Sequence, residues 1–438
     1  MIQNKINWIF LALVVLLMNV SSYGQVPDSI GYYIELAGTN NLRVKSDFLR
    51  YKLSLEKIVQ AGAYPDPTLD IGVFLKPMDI IDGRQIADFT LMQMFPWFGT
   101  QKAARTQAQQ MAKMAYEEFR LSVNTLYLDV YTRWYELSSL QQQLKSSKEN
   151  KHLLSQLERL AQRKFSSPTN NSMGGSTSGG MSDVLRIQLE IAELDSTIES
   201  IESQISAKKI AFNALLNEPV QSRVSVSDTI VQTPYVFNVT AVIEQITNEN
   251  PMLKMILEEE LAYRAKALAD IKMSYPTFGV GVQYSLIGKR SNMDLPVTQM
   301  NGMDMLMPMV SISLPIFRGK YRAQQKESEL AILSTIERYE ETRNSLEAQA
   351  YQVKYELDDA ARKIALYQEQ EKLAHSTYKL LVQEFVSGKT DLTNLIQIHR
   401  QLIDYKFKKA DATASYNTVV AAIKSLGSFN IPEHFNTK

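Results

Sequence analysis

The sequence predicts a mainly α-helical chain with a smaller β component, built as a duplicated repeat of two strands followed by a long helical hairpin. Three observations predict it. Sliding the chain by 220 residues brings Gly99 onto Gly319, Ala103 onto Ala323, Leu126 onto Leu346, Leu137 onto Leu357 and Phe165 onto Phe385, the self-similarity of a repeat architecture. The stretches Thr100 to Phe165 and Lys320 to Phe385 contain neither proline nor glycine. Ahead of each of them the apolar period shortens from helical spacing to strict alternation.

The first segment, residues 1–24, reads as a signal peptide. Lys5 supplies a positive start, Trp8 to Met18 is almost wholly apolar, and Ser22-Tyr23-Gly24 places small residues at the cleavage positions. Its apolar core is too short to anchor in a bilayer as a helix, and its removal leaves a net charge of -1 from a balanced 47 basic and 47 acidic groups. That balance leaves no basic excess to hold nucleic acid. The chain has no cysteine, which excludes disulfides, thiolate metal sites, cysteine nucleophiles and a lipid anchor on cysteine. No later segment holds enough consecutive apolar residues for a transmembrane helix, and the mean hydropathy of -0.20 is far from that of a helical membrane bundle.

Residues 25–216 form the first repeat. Leu69, Ile71, Val73 and Leu75 stand against Thr68, Asp70, Gly72 and Lys76, and the run Phe89 to Phe95 follows, predicting strands at about 68–76 and 87–95. Prolines at Pro65, Pro67 and Pro96 mark where strand ends, because proline removes a ladder donor and disfavours helix in the residue before it. A helical hairpin is expected over 100–216, its turn enlarged by a Ser, Gly, Asn and Thr-rich insertion from Ser166 to Met181. Residues 217–237 read as a connector. The second repeat, 238–427, carries the cleanest strand, in which Phe278, Val280, Val282, Tyr284 and Leu286 alternate with Thr277, Gly279, Gly281, Gln283 and Ser285. Strands are expected at about 277–287 and 306–315, then a hairpin over 319–426. Along it Leu346, Ala350, Val353, Leu357, Ala360, Ile364 and Tyr367 step by four and three, a coiled-coil seam. Residues 428–438 form a tail.

Strands of about ten residues with one apolar face suit a transmembrane β-barrel. Four cannot close one, since open edges are not tolerated in lipid. Three copies would supply twelve strands and twelve helices. The predicted fold class is therefore mainly α with transmembrane β, a trimeric 12-strand β-barrel joined to a 12-helix α-barrel.

Ala63-Tyr64-Pro65-Asp66-Pro67-Thr68-Leu69, Gln93-Met94-Phe95-Pro96-Trp97-Phe98-Gly99, Leu314-Pro315-Ile316-Phe317-Arg318-Gly319-Lys320, Glu384-Phe385-Val386-Ser387-Gly388 and Arg400-Gln401-Leu402 together resemble the TolC family of outer-membrane efflux channels. The resemblance covers essentially all of the mature chain and rests on order, spacing and duplication more than on any single motif. It implies a homotrimer in the cell outer membrane whose helical barrel extends into the periplasm. An equatorial belt would draw on Pro27 to Leu42, the connector and the tail. It implies a passive duct for drugs or heavy-metal cations, working with a periplasmic adaptor (membrane fusion) protein and an inner-membrane RND or ABC transporter, with outer-membrane lipid around the strands and no nucleic acid. No enzyme and no cofactor are expected. The alternatives are the outer-membrane duct of a type I protein secretion system and a non-conducting exported coiled-coil structural protein. The Phe-Pro-Trp-Phe-Gly form and the methionines point towards the branch serving heavy-metal pumps.

The resemblance places pore constriction and gating at the periplasmic tips. Matched by position, its acidic residues fall on Asp183 in the first hairpin and on the neutral Asn394 and Gln397 in the second, with Asp391 nearby and Lys389 as a latch partner for Asp183. Solvated loop charges are the plainer reading of the same residues. Phe74, Phe89, Phe95, Trp97, Phe278 and Tyr284 are candidates for membrane-interface girdles. Met303, Met305, Met307 and Met309, next to Met300, are either soft metal ligands or gap fillers. His152, His375, His399 and His434 have no ligand spacing and are expected at the surface or the tips, and Glu258-Glu259-Glu260 points in three directions on a helix.

Overall fold

A computed structural model describes residues 29–166, 181–290, 299–387 and 389–429. The expected signal peptide, nearly all of the Ser/Gly-rich insertion, Gly388 and the tail from residue 430, His434 included, lie outside the described residues. The elements run α1 (Ile30–Asn40), α2 (Leu42–Ala61), β1 (Thr68–Val73), β2 (Asp79–Ile80), β3 (Gly83–Phe95), α3 (Thr100–Ser166), α4 (Met181–Leu216), α5 (Val239–Glu249), α6 (Pro251–Met273), β4 (Thr277–Gly288), β5 (Met305–Ser313), α7 (Arg318–Val386) and α8 (Leu392–Leu426). Each repeat is thus a strand pair and a long hairpin, preceded by two helices whose bounds alternation alone did not predict. The second helix of each pair carried a start signal. Asn41 accepts from the N–H groups of Arg43 and Val44 to cap α2, and Asn250 caps α6 ahead of Pro251 in its first turn.

Two compact units divide the chain. One comprises Met1–Ala37, Val130–Gln232 and Ala361–Ser415; the other comprises Gly38–Asp129, Thr233–Ala360 and Tyr416–Lys438. The second unit contains the sheet, in the antiparallel order β1-β3-β4-β5, with β2 folded back on β3. β3 begins at Gly83, earlier than the alternation suggested, because it continues to pair with β4 as far as Arg84 opposite Gly288. Gly83 has φ 141° and lies so close to Gly288 that a Cβ would sit 2.6 Å from its carbonyl oxygen, so only glycine fits. At the strand-to-helix junction Gly99 adopts φ 84°. Its repeat partner Gly319 lies within α7, and a Cβ there would meet nothing.

The same unit ties its helices with a few buried polar contacts. Asp270 on α6 is buried and accepts from Ser328 Oγ at 2.5 Å and from Lys266 Nζ at 3.3 Å. Asn124 on α3 donates to the carbonyl of Ser425 at 2.6 Å and accepts from Phe429 N–H at 2.9 Å. A buried carboxylate and a buried amide are expensive unless satisfied, so these contacts specify which helix faces meet.

The first unit packs α1 and the connector against the hairpin. Tyr33 is buried, its ring 5.1 Å from Trp134 and 5.3 Å from Phe212, and its hydroxyl accepts from Ser225 N–H at 3.1 Å. Asn213 on α4 donates to the carbonyls of Val220 and Ser222 at 3.2 and 2.9 Å. Asn217 takes a positive φ of 54°, a conformation asparagine tolerates better than most residues. The connector then runs past α3, where Ile230 N–H donates to Gln142 at 2.9 Å and Asp228 pairs with Lys145 at 3.0 Å. Along the predicted seam of α7, Leu346, Ala350, Leu357 and Ala360 in the second unit and Ile364 in the first are buried, while Val353 and Tyr367 are half-buried.

Replacing Asn213 with alanine removes the donor to the Val220 and Ser222 carbonyls. The expected cost is about 1–2 kcal/mol of local stability, read as faster proteolysis within residues 218–232 while helical circular dichroism stays unchanged.

Candidate functional site

Two places carry candidate residues, the ends of the hairpins in the first unit and the sheet in the second. At the hairpin ends, Asp391 starts α8 by accepting from Asn394 N–H at 3.2 Å, an N-cap contact. Lys389 closes the end of α7 through its backbone N–H on the Glu384 carbonyl at 2.8 Å, a helix-terminating bond. Its ammonium makes no ion pair among the described residues, so the expected Lys389 to Asp183 latch is not formed within this chain. Asp183 lies in the first turn of α4, where a carboxylate meets the positive end of the helix dipole. Asn394 and Gln397 are exposed on α8.

Behind these ends α4 and α8 form a shallow groove of about 630 Å³, lined among others by Arg186, Leu189, Glu190, Gln397, Arg400 and Gln401. These are repeat equivalents: the offset of 211 that relates Asp183 to Asn394 also relates Arg186 to Gln397, Leu189 to Arg400 and Glu190 to Gln401. The groove therefore lies where equivalent positions of the two hairpins face one another. Across it Arg400 Nε donates to both carboxylate oxygens of Glu190 at 3.1 and 2.9 Å, and its Nη2 reaches Glu193 at 2.9 Å. Arg186 donates to Thr393 Oγ1 at 2.9 Å. The Arg400 side chain is 57% exposed, so the pair is worth under about 1 kcal/mol. Its bidentate geometry fixes register, while cohesion comes from the apolar cluster of Leu157, Val184, Ile187, Phe385, Leu392 and Leu395. Sequence reading missed Arg400, Glu190 and Glu193 as partners; the signal that would have found them is opposite charge at near-equivalent repeat positions.

His399 is the other surprise. Expected at a surface, it is 1% exposed, stacked at a tilt on Tyr378 with ring centres 5.7 Å apart. Its Nε2 has no hydrogen-bond partner among the described residues. Burial pushes its pKa down to about 4, with Lys406 assisting and Glu190 opposing.

The sheet has two unlike faces. On one, Leu69, Ile71 and Val73 of β1 stand opposite Leu91, Phe89 and Ala87 of β3. The same face continues through Val280, Val282, Tyr284 and Leu286 of β4 to Leu306, Val310 and Ile312 of β5. Apart from the buried Ala87 and the half-buried Phe89, these side chains are largely exposed. The other face carries Asp70, Asp88, Thr90, Gln283, Ser285, Ser311 and the methionines. Met305, Met307 and Met309 lie in β5, whereas Met303 sits in the turn before it. The aromatics fall in two bands. Trp97 stacks on Phe278 at 5.7 Å and on Tyr275 at 5.0 Å, with Phe95 against Tyr64 nearby. Phe89 meets Tyr284 further along, and Phe74 pairs through its backbone with Ile86 beyond them. Among the described residues no helix is long and apolar enough to cross a membrane, and no cluster of three His, Asp or Glu side chains is placed to hold a metal.

Residues 242–427 match the family model described as Outer membrane efflux protein. Solved structures share the fold over nearly the whole chain. The outer-membrane channel OprN superposes with a TM-score of 0.73 at 12% identity, covering 91% of this chain and 90% of that one. CusC superposes at 0.72 and 15% identity, covering 94% and 96%, and the outer membrane protein VceC of Vibrio cholerae at 0.72 and 13%, covering 91% and 96%. No curated protein matches in sequence. The resemblance to outer-membrane efflux proteins read from the motifs is thus matched over the second repeat, and the mainly helical fold built of strand pairs and long hairpins is shared with the solved channels over nearly the whole chain.

Because the folded chain takes up the His399 proton only near pH 4 and the unfolded chain near 6.5, the unfolded state binds more protons between those values. Stability should therefore be lost as pH falls from about 6.5 to about 4, by about 3 kcal/mol in total, and be flat for this group above that window. In His399→Leu the unfolding free energy lost across that window, read from urea titrations at each pH, should shrink by that amount.

Proposed function

We propose that this chain is one third of a passive outer-membrane duct, the exit channel of a tripartite efflux pump. The observation that carries the proposal is the sheet. Its apolar face is exposed from β1 to β5, and both outer strands present unpaired backbone along one edge. Water penalises the face, and lipid penalises each unsatisfied edge group by several kcal/mol. A trimer relieves both, since β5 of one protomer can pair with β1 of the next and close twelve strands with the apolar face outward. Counting along β4 from Phe278 to Leu286 gives about 27 Å before strand tilt, the scale of a barrel's lipid band, and the two aromatic bands would sit at its borders.

The long hairpins would then extend into the periplasm, with α1, the connector and the chain end as the belt. At their ends Asp183, Asn394 and Gln397 would face the constriction, three copies of Asp183 supplying its negative charge, with the Glu190 to Arg400 pair holding the two hairpins in register. A periplasmic adaptor and an inner-membrane RND or ABC transporter would dock there and provide the energy. Small toxic solutes, drugs or heavy-metal cations, are the proposed cargo. A type I secretion duct would share the architecture and differ in its transporter, and a structural fibre would have no use for an apolar strand face.

The native chain has no cysteine, so a double variant Asp70→Cys and Met307→Cys carries unique handles near the two sheet edges. Treated in detergent with a flexible bis-maleimide, it should yield a covalent trimer on a denaturing gel; monomer alone would refute the ring. In planar bilayers the trimer should conduct with a preference for cations, and Asp183→Asn should lower that preference with little change in the helical signal. Unaltered selectivity would remove Asp183 from the constriction.

A further inference from the structure

The polar face of the sheet holds a feature that neither repeat nor alternation revealed. Met92 and Met94 of β3 join Met305, Met307 and Met309 of β5 on it, brought together by the shared register. Met92 lies opposite Gly281, which lies opposite Met309; Met94 lies opposite Gly279, next to Ser311. The intervening strand has no side chain at those two rows, and the thioethers occupy the vacant space. A Cβ on Gly279 would sit 2.6 Å from the sulfur of Met94 and 3.1 Å from that of Met92, and one on Gly281 would sit 2.9 Å from the sulfur of Met92. The β3 sulfurs therefore lean over β4 towards β5. Met307 is 40% exposed and Met305 47%.

Packing does not account for this placement. Methionine fills gaps in apolar interiors, yet β1, β3, β4 and β5 have no methionine on their apolar face, where Leu, Ile, Val and Phe stand instead. Every methionine of these strands lies on the face that also carries Asp70, Asp88, Thr90, Gln283 and Ser285. Thioethers are soft, neutral donors that select Cu(I) and its heavier congener over hard ions. Asp88 lies in the row of Met305, across Ser285, and adds negative charge that attracts a cation without competing as a soft ligand.

We propose that Met92, Met94, Met307 and Met309 form a binding site for soft monovalent cations, Cu(I) or Ag(I), on the polar face of the sheet, with Met305 and Asp88 at one end. In a closed barrel this face is the lumen, so three copies would line the exit path with sulfur. Only that location rests on the channel reading; the ligand set belongs to one protomer.

The test uses the purified full-length protein in detergent and chloride-free buffer, titrated with silver nitrate by calorimetry, with the silver absorption edge reporting sulfur neighbours. Binding with sulfur scatterers is expected. Each double variant, Met92→Leu with Met94→Leu and Met307→Leu with Met309→Leu, should weaken it by about tenfold or more, as should Met309→Leu alone in the same direction. Leucine nearly preserves volume, and bilayer conductance in potassium nitrate checks that each variant still assembles. The chain has 18 methionines, so Met300→Leu with Met303→Leu, in the turn, serves as control and should change nothing. Silver affinity equal in wild type and both strand variants, or lost only in the turn variant, overturns the proposal. Conduction without silver binding refutes the site and leaves the channel standing; silver binding without conduction does the reverse.

Discussion

The pairing of β3 with β4 is the contact on which the rest depends. These strands come from different repeats, and their ladder runs from Arg84 opposite Gly288 to Phe95 opposite Phe278. It joins the two repeats in one sheet, and it leaves β1 and β5 as the outer strands. Since side chains alternate with a period of two, shifting this register by one residue would exchange the faces of every strand relative to its neighbour. The irregularity between Gln85 and Ala87 is a local departure of the kind that bends a strand without losing that alternation.

Within the helices the division of labour is different. Long seams of Leu, Ile and Ala supply cohesion, as at Leu346, Leu357 and Ile364, while ion pairs such as Glu190 with Arg400 select which faces meet at small net energy. The buried polar groups are the costly positions. Asp270 and Asn213 are satisfied by defined partners, whereas the buried His399 ring packs against Tyr378.

Much of the fold was legible because duplication makes each half a check on the other. The alternation in β4 was clean enough to be read alone, and the weaker β1 and β3 gained meaning from it. Helix α2 was not read and α6 was read only around Glu258 to Glu260, because their start signals, Asn41 and Asn250, are single residues. The candidate site was legible in part. Asp183, Asn394 and Gln397 follow from motif position, but a position in a motif does not say what a side chain touches. Lys389 meets no acid among the described residues, Asp391 is taken up in capping, and His399 is inside.

By itself the sequence determined the periodicities: where the chain is helical, where it alternates, that it repeats, and that it contains no cysteine. Those properties depend on residues a few positions apart, so they are written locally. The tertiary structure alone decided which distant positions meet. Met92 comes within a strand of Met309, Arg400 grips Glu190, and His399 loses its water. Each of these contacts joins segments far apart in the chain, and their register is set by packing and hydrogen bonding across the gap, for which no local pattern carries the information.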